Sequence, residues 1–325
     1  MSANEVRYVH AINQALRDSM VDDERVIVMG EDIACAGGSF KATRGLLEAF
    51  GEGRVIDTPI SEASLVSAGV GAALTGLKPV VEIMFMDFIT LAMDALVNQA
   101  AKARFMFGAQ GSVPMVLRTP HGGGLNAGPQ HSQCLEAWLA HVPGLKVVCP
   151  SNPQDAYSLL RAAIADPDPV IFVEHKAAYA TKGVLDTSIQ LRIGEARVVR
   201  TGKDVTLITY GKTVGVCEQA ARQLADSGVE AEIIDLRSIQ PWDKKTVLES
   251  LSRTHRAVVV HEAVQAFGVG AEIVATLMDE GFDELDAPIV RVGAPFMPVP
   301  FASSLEQGYA VKAGDVVNAV QRIVA

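Results

Sequence analysis

Three short stretches of this 325-residue sequence carry residue types that could do chemistry. The first is Asp57-Thr-Pro-Ile-Ser-Glu62, which runs into Ala63-Ser-Leu-Val-Ser-Ala-Gly-Val-Gly-Ala-Ala-Leu-Thr-Gly76. Glu62 stands where a helix of small residues would begin. A carboxylate there is either a group favoured by the helix dipole, worth about 0.3–1 kcal/mol, or a group that handles protons. The small residues let another backbone or helix approach closely. Gly69-Val-Gly71 has the look of a dinucleotide fingerprint, but it falls mid-helix rather than at a strand-to-helix turn and is rejected as one. The second stretch, Glu82-Ile-Met-Phe-Met-Asp-Phe88, suits either a core or a platform for a ring, since Met and aromatic side chains serve both. The third is Arg118-Thr-Pro-His-Gly-Gly-Gly-Leu-Asn-Ala-Gly-Pro-Gln-His131, with four glycines between Gly122 and Gly128. Such a loop lets backbone lie against a ligand or partner. It lacks the Lys-Ser/Thr ending of a phosphate-cradling Walker loop. His131, just past the glycines, can shuttle protons near neutral pH, or it can be a helix-start imidazole bonded to backbone. The histidines at His10, His141, His175, His255 and His261 have no metal-ligand spacing, and neither a G-x-S-x-G elbow nor an H-E-x-x-H pair occurs.

The elements that must position these loops alternate. Apolar runs over 25–29, 79–83, 113–117, 145–149 and 169–173 predict strands buried on both faces, as in a parallel sheet between helix layers. Helical patterns cover 3–21, 62–76, 91–107 and 153–165, the last with Asn152 as N-cap and Pro153 at the first position. The pattern lapses over 176–203 and then resumes. Strands are predicted over 204–209, 230–235, 256–261 and 288–292, with helices over 214–227, 244–252, 269–280 and 312–324. This alternation predicts two α/β domains, 1–180 and 204–325, joined by a linker over 181–203. In an open parallel sheet the ligand lies beyond the carboxyl ends of the strands, where all three stretches fall.

Composition narrows the functional classes. With 49% apolar and 20% charged residues the chain is a globular protein rather than a disordered one. Twenty-eight basic residues against 38 acidic ones leave a net charge of −10, which argues against a nucleic-acid partner. No secretory signal or membrane span is evident, so a cytoplasmic location of bacterial type with no targeting segment is expected. The four cysteines lie far apart without a C-x-x-C pair, which fits reduced thiols. An acidic cluster, Asp279-Glu-Gly-Phe-Asp-Glu-Leu-Asp286, is either a solvated helix end or a docking patch for a basic partner.

In this order and spacing the three loops, with Gly30-Glu-Asp32, Asn98-Gln-Ala-Ala-Lys102, Ala127-Gly-Pro-Gln-His-Ser-Gln133, Pro143-Gly-Leu-Lys-Val-Val-Cys-Pro150 and Asp235-Leu-Arg237, carry a resemblance that spans the chain. The sequence resembles the β subunits of the thiamine-diphosphate-dependent component of 2-oxo acid dehydrogenase complexes, the pyruvate, branched-chain and acetoin dehydrogenase family. The stretches at 82–88 and 169–176 look closest to the acetoin branch, although the segment 34–41 is shorter than in that branch.

The resemblance implies a transketolase-like pyrimidine-binding parallel-sheet domain followed by a transketolase C-terminal-like α/β domain. It implies that thiamine diphosphate is shared with a separate α subunit, which holds the diphosphate and Mg²⁺ in an α2β2 heterotetramer. In keeping with this, the chain lacks the Gly-Asp-Gly…Asn diphosphate motif of that superfamily. By the same resemblance, Glu62 is the residue that hydrogen-bonds the pyrimidine nitrogen and favours its imino tautomer. Phe88 stacks on that ring, Ile60 and Met84 line its pocket, and His131 assists proton transfer and acylation of a lipoyl arm on the acyltransferase. Met115, Ala163, Ile164, Asp166 and Asp168 match a structural K⁺ site, while the turn Asp166-Pro-Asp-Pro169 reads equally as an ordinary lead-in to a strand. The implied activity is oxidation of a 2-oxo acid or of acetoin with a lipoyl acceptor. The competing functions are a single-chain transketolase-like enzyme and a non-catalytic docking or scaffold subunit.

Overall fold

The computed structural model describes residues 5–324. The chain divides into two units: unit 1 is formed by residues up to His121 and by Trp138–Ile193, and unit 2 by Gly122–Ala137 and Gly194–Ala325.

In unit 1 the apolar runs become parallel strands in the order Lys146–Val148, Val170–His175, Val116–His121, Lys78–Glu82, Val26–Gly30, Val55–Asp57. Nearly every residue in these strands is buried, as expected of a sheet covered on both faces. Helices Tyr8–Asp22 and Pro153–Ala165 pack on each other and on the sheet through Tyr8, Ile12 and Leu16 and through Leu159 and Leu160. The second helix starts as its sequence predicts: the Asn152 side chain accepts a hydrogen bond from Asp155 N, and Pro153 takes the first turn. Helix Glu62–Leu74 lies against strand Lys78–Glu82. Gly69 permits the approach, because a Cβ there would lie 2.7 Å from Val81 Cγ2 and 3.1 Å from Met115 Sδ. The opposite face of this helix, Ala63, Ser64, Ser67, Ala68 and Gly71, is exposed.

Unit 2 carries a five-stranded sheet in the order Val290–Ala294, Ala257–Val264, Val205–Thr209, Ala231–Asp235, Arg197–Arg200. All neighbours are parallel except the edge strand Arg197–Arg200, which runs antiparallel to Ala231–Asp235. Helices Thr213–Ala225 and Ala313–Val324 pack together over it, burying Cys217, Leu224, Val316 and Val320.

The structure departs from the sequence-based expectation in four places. Residues 181–203 are not a free linker: Lys182–Val184 pairs antiparallel with Glu5–Arg7, and Arg197–Arg200 extends the second sheet. The units therefore meet at Ile193 and Gly194, and the glycine-rich loop after His121 groups with unit 2. The helix expected over 91–107 is a 3₁₀ turn Met86–Ala92, a π-turn Ala95–Ala100 and a short α-helix Ala101–Met106. The strand Val55–Asp57 and the helix Leu46–Phe50 were not foreseen. The start of the helix expected at residue 3 lies outside the described residues, and the segment Glu5–Arg7 is strand. Among the described residues no helix is long and apolar enough to cross a membrane, and none of the four cysteines is in a disulfide.

A charged network sits inside unit 1. Arg118 and Glu82 are register partners on adjacent strands, and Glu174 lies two residues beyond Phe172, the partner of Arg118 on the other side. The two-residue period of a strand puts the three side chains on one face. The Arg118 guanidinium donates to Glu82 at 2.7 Å and to both oxygens of Glu174 at 2.6 and 2.9 Å, and Tyr179 donates its hydroxyl to Glu174 at 2.6 Å. Burial opposes the charge on Arg118, but Glu174 and Glu82 outweigh it and raise its pKa, so the guanidinium stays charged. Removing one partner strands the opposite charge in a low dielectric. Arg118→Met is therefore expected to cost about 3–5 kcal/mol in urea unfolding, with part regained when Glu82 and Glu174 are both changed to Gln. An Arg118→Met chain as stable as the parent would refute the network's role.

Candidate active site

Three adjacent strands of unit 1, Lys78–Glu82, Val26–Gly30 and Val55–Asp57, end side by side. The loops leaving them bring Met84 and Phe88, Glu31, and Ile60 and Glu62 to the carboxyl edge of the sheet, where ligands of open α/β sheets bind. Helix Glu62–Leu74 begins after an extended Ser61, whose carbonyl accepts from Leu65 N at 2.9 Å. The Ser61 hydroxyl bonds Ser64 instead of capping the helix. Glu62 is only 6% exposed. The 3₁₀ turn carrying Phe88 packs against this helix. Met84 and Phe88 are half-buried, whereas Ile60 is 83% exposed, an apolar side chain with nothing of unit 1 over it. Asp57 secures the neighbouring loop by accepting from Ala34 N at 2.6 Å and Cys35 N at 3.3 Å.

Glu31 completes the group and was not singled out from sequence, although it lies within Gly30-Glu-Asp32. It is 6% exposed. Burial, then the charge of Glu62, then that of Asp32 push its carboxyl upward, and a bond from the Ser61 backbone only partly opposes them. Among the described residues nothing hydrogen-bonds its buried Oε1. Two buried carboxyls thus lie near the start of helix Glu62–Leu74, and the charge of Glu62 is one of the causes that push the Glu31 carboxyl upward. This donor and acceptor set, beside a half-buried phenyl ring and an exposed isoleucine, fits a nitrogen heterocycle such as an aminopyrimidine.

Phe88 is itself held by rings. Its centroid lies 5.8 Å from Phe85, edge to face, and Phe85 lies 6.0 Å from Phe40 in the same arrangement. Phe40 packs on Tyr179 at 5.0 Å, and Tyr179 is bonded to Glu174. The ammonium of Lys176 sits 5.6 Å from the Phe85 centroid. The platform is tied through aromatic contacts to the Arg118 network.

His131 is in unit 2, on the segment that follows the glycines, and is half-buried. Its backbone N donates to Gly128 O at 3.4 Å. The glycine-rich loop does not present an open cradle of amides. Gly123 N donates to Glu262 at 2.7 Å, and Gly124 N and Asn126 N donate to the two oxygens of Glu306 at 2.8 and 3.0 Å. Neither glutamate was identified from sequence, since nothing local marks residues 139 and 182 positions away from their loop partners.

The five residues matched to a cation site cluster where helix Pro153–Ala165 turns into strand Val170–His175. Four of the five already make a bond within the chain. The Lys146 ammonium donates to both oxygens of Asp166 at 2.7 and 2.6 Å, and Arg104 pairs with Asp168. The carbonyls of Met115 and Ala163 accept from Val170 N at 3.0 Å and Asp166 N at 3.2 Å. The carboxylates of Asp166 and Asp168 are thus paired with Lys146 and Arg104, while the backbone carbonyls keep a second lone pair each. Two of the shared motifs also have packing roles. A Cβ on Gly144 would lie 1.9 Å from the Ala101 carbonyl oxygen, and Lys102 donates to Pro143 O at 2.8 Å. The acidic cluster is partly met from within: Glu280 pairs with Lys244 at 2.8 Å and Asp286 with Arg256 at 3.5 Å.

Comparison with known proteins gives a consistent answer. Residues 4–182 match the transketolase pyrimidine-binding domain, and residues 194–316 match the transketolase C-terminal domain. The chain is 45% identical to pyruvate dehydrogenase E1 component subunit beta-1 of Arabidopsis thaliana, over 98% of this chain and 90% of that one. It is also 45% identical to the beta subunit of acetoin:2,6-dichlorophenolindophenol oxidoreductase of Bacillus subtilis, over 92% and 91% of the two chains. A solved split-gene transketolase, an inactive beta4 tetramer, superposes with a TM-score of 0.82 at 21% identity and 98% coverage of both chains, a likeness of fold.

The raised Glu31 has a measurable consequence. Its folded state holds the proton more tightly than the unfolded chain, so its contribution to stability is present at low pH and is lost as pH rises from the ordinary carboxyl value through the raised one. Glu31→Gln is therefore expected to unfold at a higher temperature than the parent at pH 8, with the gap closing toward pH 4. Thermal unfolding across that range checks it, and a gap independent of pH would count against the raised carboxyl.

Proposed function

The chain belongs to the transketolase-type family of pyruvate and acetoin dehydrogenase β subunits, and from that premise we propose that it forms one half of a thiamine-diphosphate-dependent active site completed by an α subunit. The substrate class is a 2-oxo acid of the pyruvate type or acetoin, and the acceptor is lipoamide on a dihydrolipoamide acyltransferase. When bound, thiamine diphosphate supplies the electron sink for breaking the bond beside a carbonyl.

The observation that carries this reading is the buried Glu62, set against Glu31 beside Phe88 and Ile60. Glu62 hydrogen-bonds the pyrimidine ring nitrogen and moves a proton there, a role its buried place at the carboxyl edge of the sheet supports. Phe88 supports the face of the ring, Met84 and Ile60 line its edge, and the Phe85–Phe40–Tyr179 contacts keep Phe88 in place. His131 takes up or delivers a proton at the reacting carbonyl and during acyl transfer. The filled amides of the glycine-rich loop support assigning the diphosphate and its Mg²⁺ to the α subunit, because this chain's own carboxylates already satisfy those donors. The exposed small-residue face of helix Glu62–Leu74 and the exposed Leu91, Phe105 and Met106 support a protein partner over unit 1. A structural K⁺ would be held by Met115, Ala163, Ile164, Asp166 and Asp168, mostly through backbone carbonyls. A cytoplasmic location accords with four cysteines of which none is in a disulfide.

Calorimetric titration of thiamine diphosphate into this chain, with and without its α partner, separates the three readings. Binding that requires the α chain supports the proposal, binding to this chain alone favours a single-chain enzyme, and no binding in either case favours a scaffold. In the assembled enzyme Glu62→Gln is expected to retain the cofactor but lose at least about 100-fold in turnover; near-normal turnover removes Glu62 from proton transfer. Assay of the assembled pair with pyruvate, branched-chain 2-oxo acids and acetoin identifies the substrate.

A further inference from the structure

We propose that Glu306 and Glu262 are positioning residues for His131, acting by filling the amide nest of the glycine-rich loop that carries it. Successive backbone N–H groups in a loop of alternating left-handed residues form a concave, electropositive nest that ordinarily receives an anion. Here Gly122, Gly124, Asn126 and Gly128 all have positive φ, between 55° and 95°. The anions are two carboxylates of the same unit. Glu306, 5% exposed on helix Ser303–Tyr309, spans Gly124 N and Asn126 N with its two oxygens, and Glu262, at the end of strand Ala257–Val264, takes Gly123 N at 2.7 Å.

These are charge-assisted bonds, about twice as strong as neutral ones, on the part of the chain that has most backbone freedom to lose. The loop closes under Phe301, where Gly128 leaves no room for a side chain: a Cβ there would sit 2.2 Å from the ring. His131 follows three residues later and is bonded back to Gly128 O. The loop thus enters unit 2 as a preformed piece, and the histidine is mounted on the C-terminal unit although its segment leaves a strand of the N-terminal one. Glutamine at 306 could accept through one oxygen only and would turn an NH₂ group toward the other amide.

The inference rests on His131 being the proton-transfer residue, and its test keeps the two apart. Hydrogen–deuterium exchange is measured on the full chain and on its assembly with the α partner. In Glu306→Gln, peptides covering 122–128 are expected to exchange at least about 10-fold faster, while strands Val205–Thr209 and Ala257–Val264 keep their protection. Glu262→Ala, which frees a single amide, gives the same pattern at smaller amplitude and serves if the first variant folds poorly. In the assembled enzyme kcat for lipoamide acylation falls about 10- to 100-fold, with KM and cofactor affinity unchanged, and the fall disappears in a His131→Ala background. Unchanged exchange over 122–128 overturns the proposal, as does a loss of activity that persists without His131. If His131→Ala alone is fully active, the assignment of His131 falls, and exchange over the loop still decides whether the glutamates hold it.

Discussion

One guanidinium bears on much of unit 1. Arg118 joins three central strands, holding Glu82 on one side and Glu174 on the other, all three buried. Two of those strands lead into loops with a candidate function, Lys78–Glu82 into Met84 and Phe88 and Val116–His121 into the glycine-rich loop, and the third leads to Lys176, whose ammonium lies against Phe85. Such a network is rigid because each member is satisfied only in one geometry, and the low dielectric that strengthens it also penalises any departure. Through Tyr179 and the rings of Phe40 and Phe85, that rigidity is passed to Phe88.

The two units contribute differently. Unit 1 supplies buried carboxyls, a cluster of aromatic rings and exposed apolar surface. Unit 2 supplies His131 on a loop whose donors are turned inward. A chain that was to bind a diphosphate unaided would need free backbone amides at a helix start or a nest. Its most conspicuous nest is filled by its own side chains.

Much of the fold was legible because the signals were local. Asn152 and Pro153 mark the start of helix Pro153–Ala165, and the span Val269–Glu280 follows from its apolar spacing alone. The strand Val55–Asp57 escaped because three residues carry no period, and the π-turn Ala95–Ala100 because its residues suit an ordinary helix equally well. The polar stretch 181–203 looked like a linker since its strands are short and lie at edges, where polar residues are tolerated. Glu62, Phe88 and His131 were open candidates by residue type, and only the family resemblance singled out a role for each. Glu31 was visible as a carboxylate but not as a buried one, and Glu262 and Glu306 were invisible because their significance depends on a loop far away in the chain.

Helix Glu62–Leu74 behaves as a stiff rod resting on the sheet at a single bare notch, Gly69, where its backbone sits against Val81 and Met115. Any side chain at that notch must lift the rod, and a hydrogen-bonded cylinder transmits the lift to its tip instead of absorbing it by bending. The carboxyl of Glu62 rides on that tip, two turns away. Where the Glu62 carboxyl lies is therefore set by the missing methyl at this fulcrum.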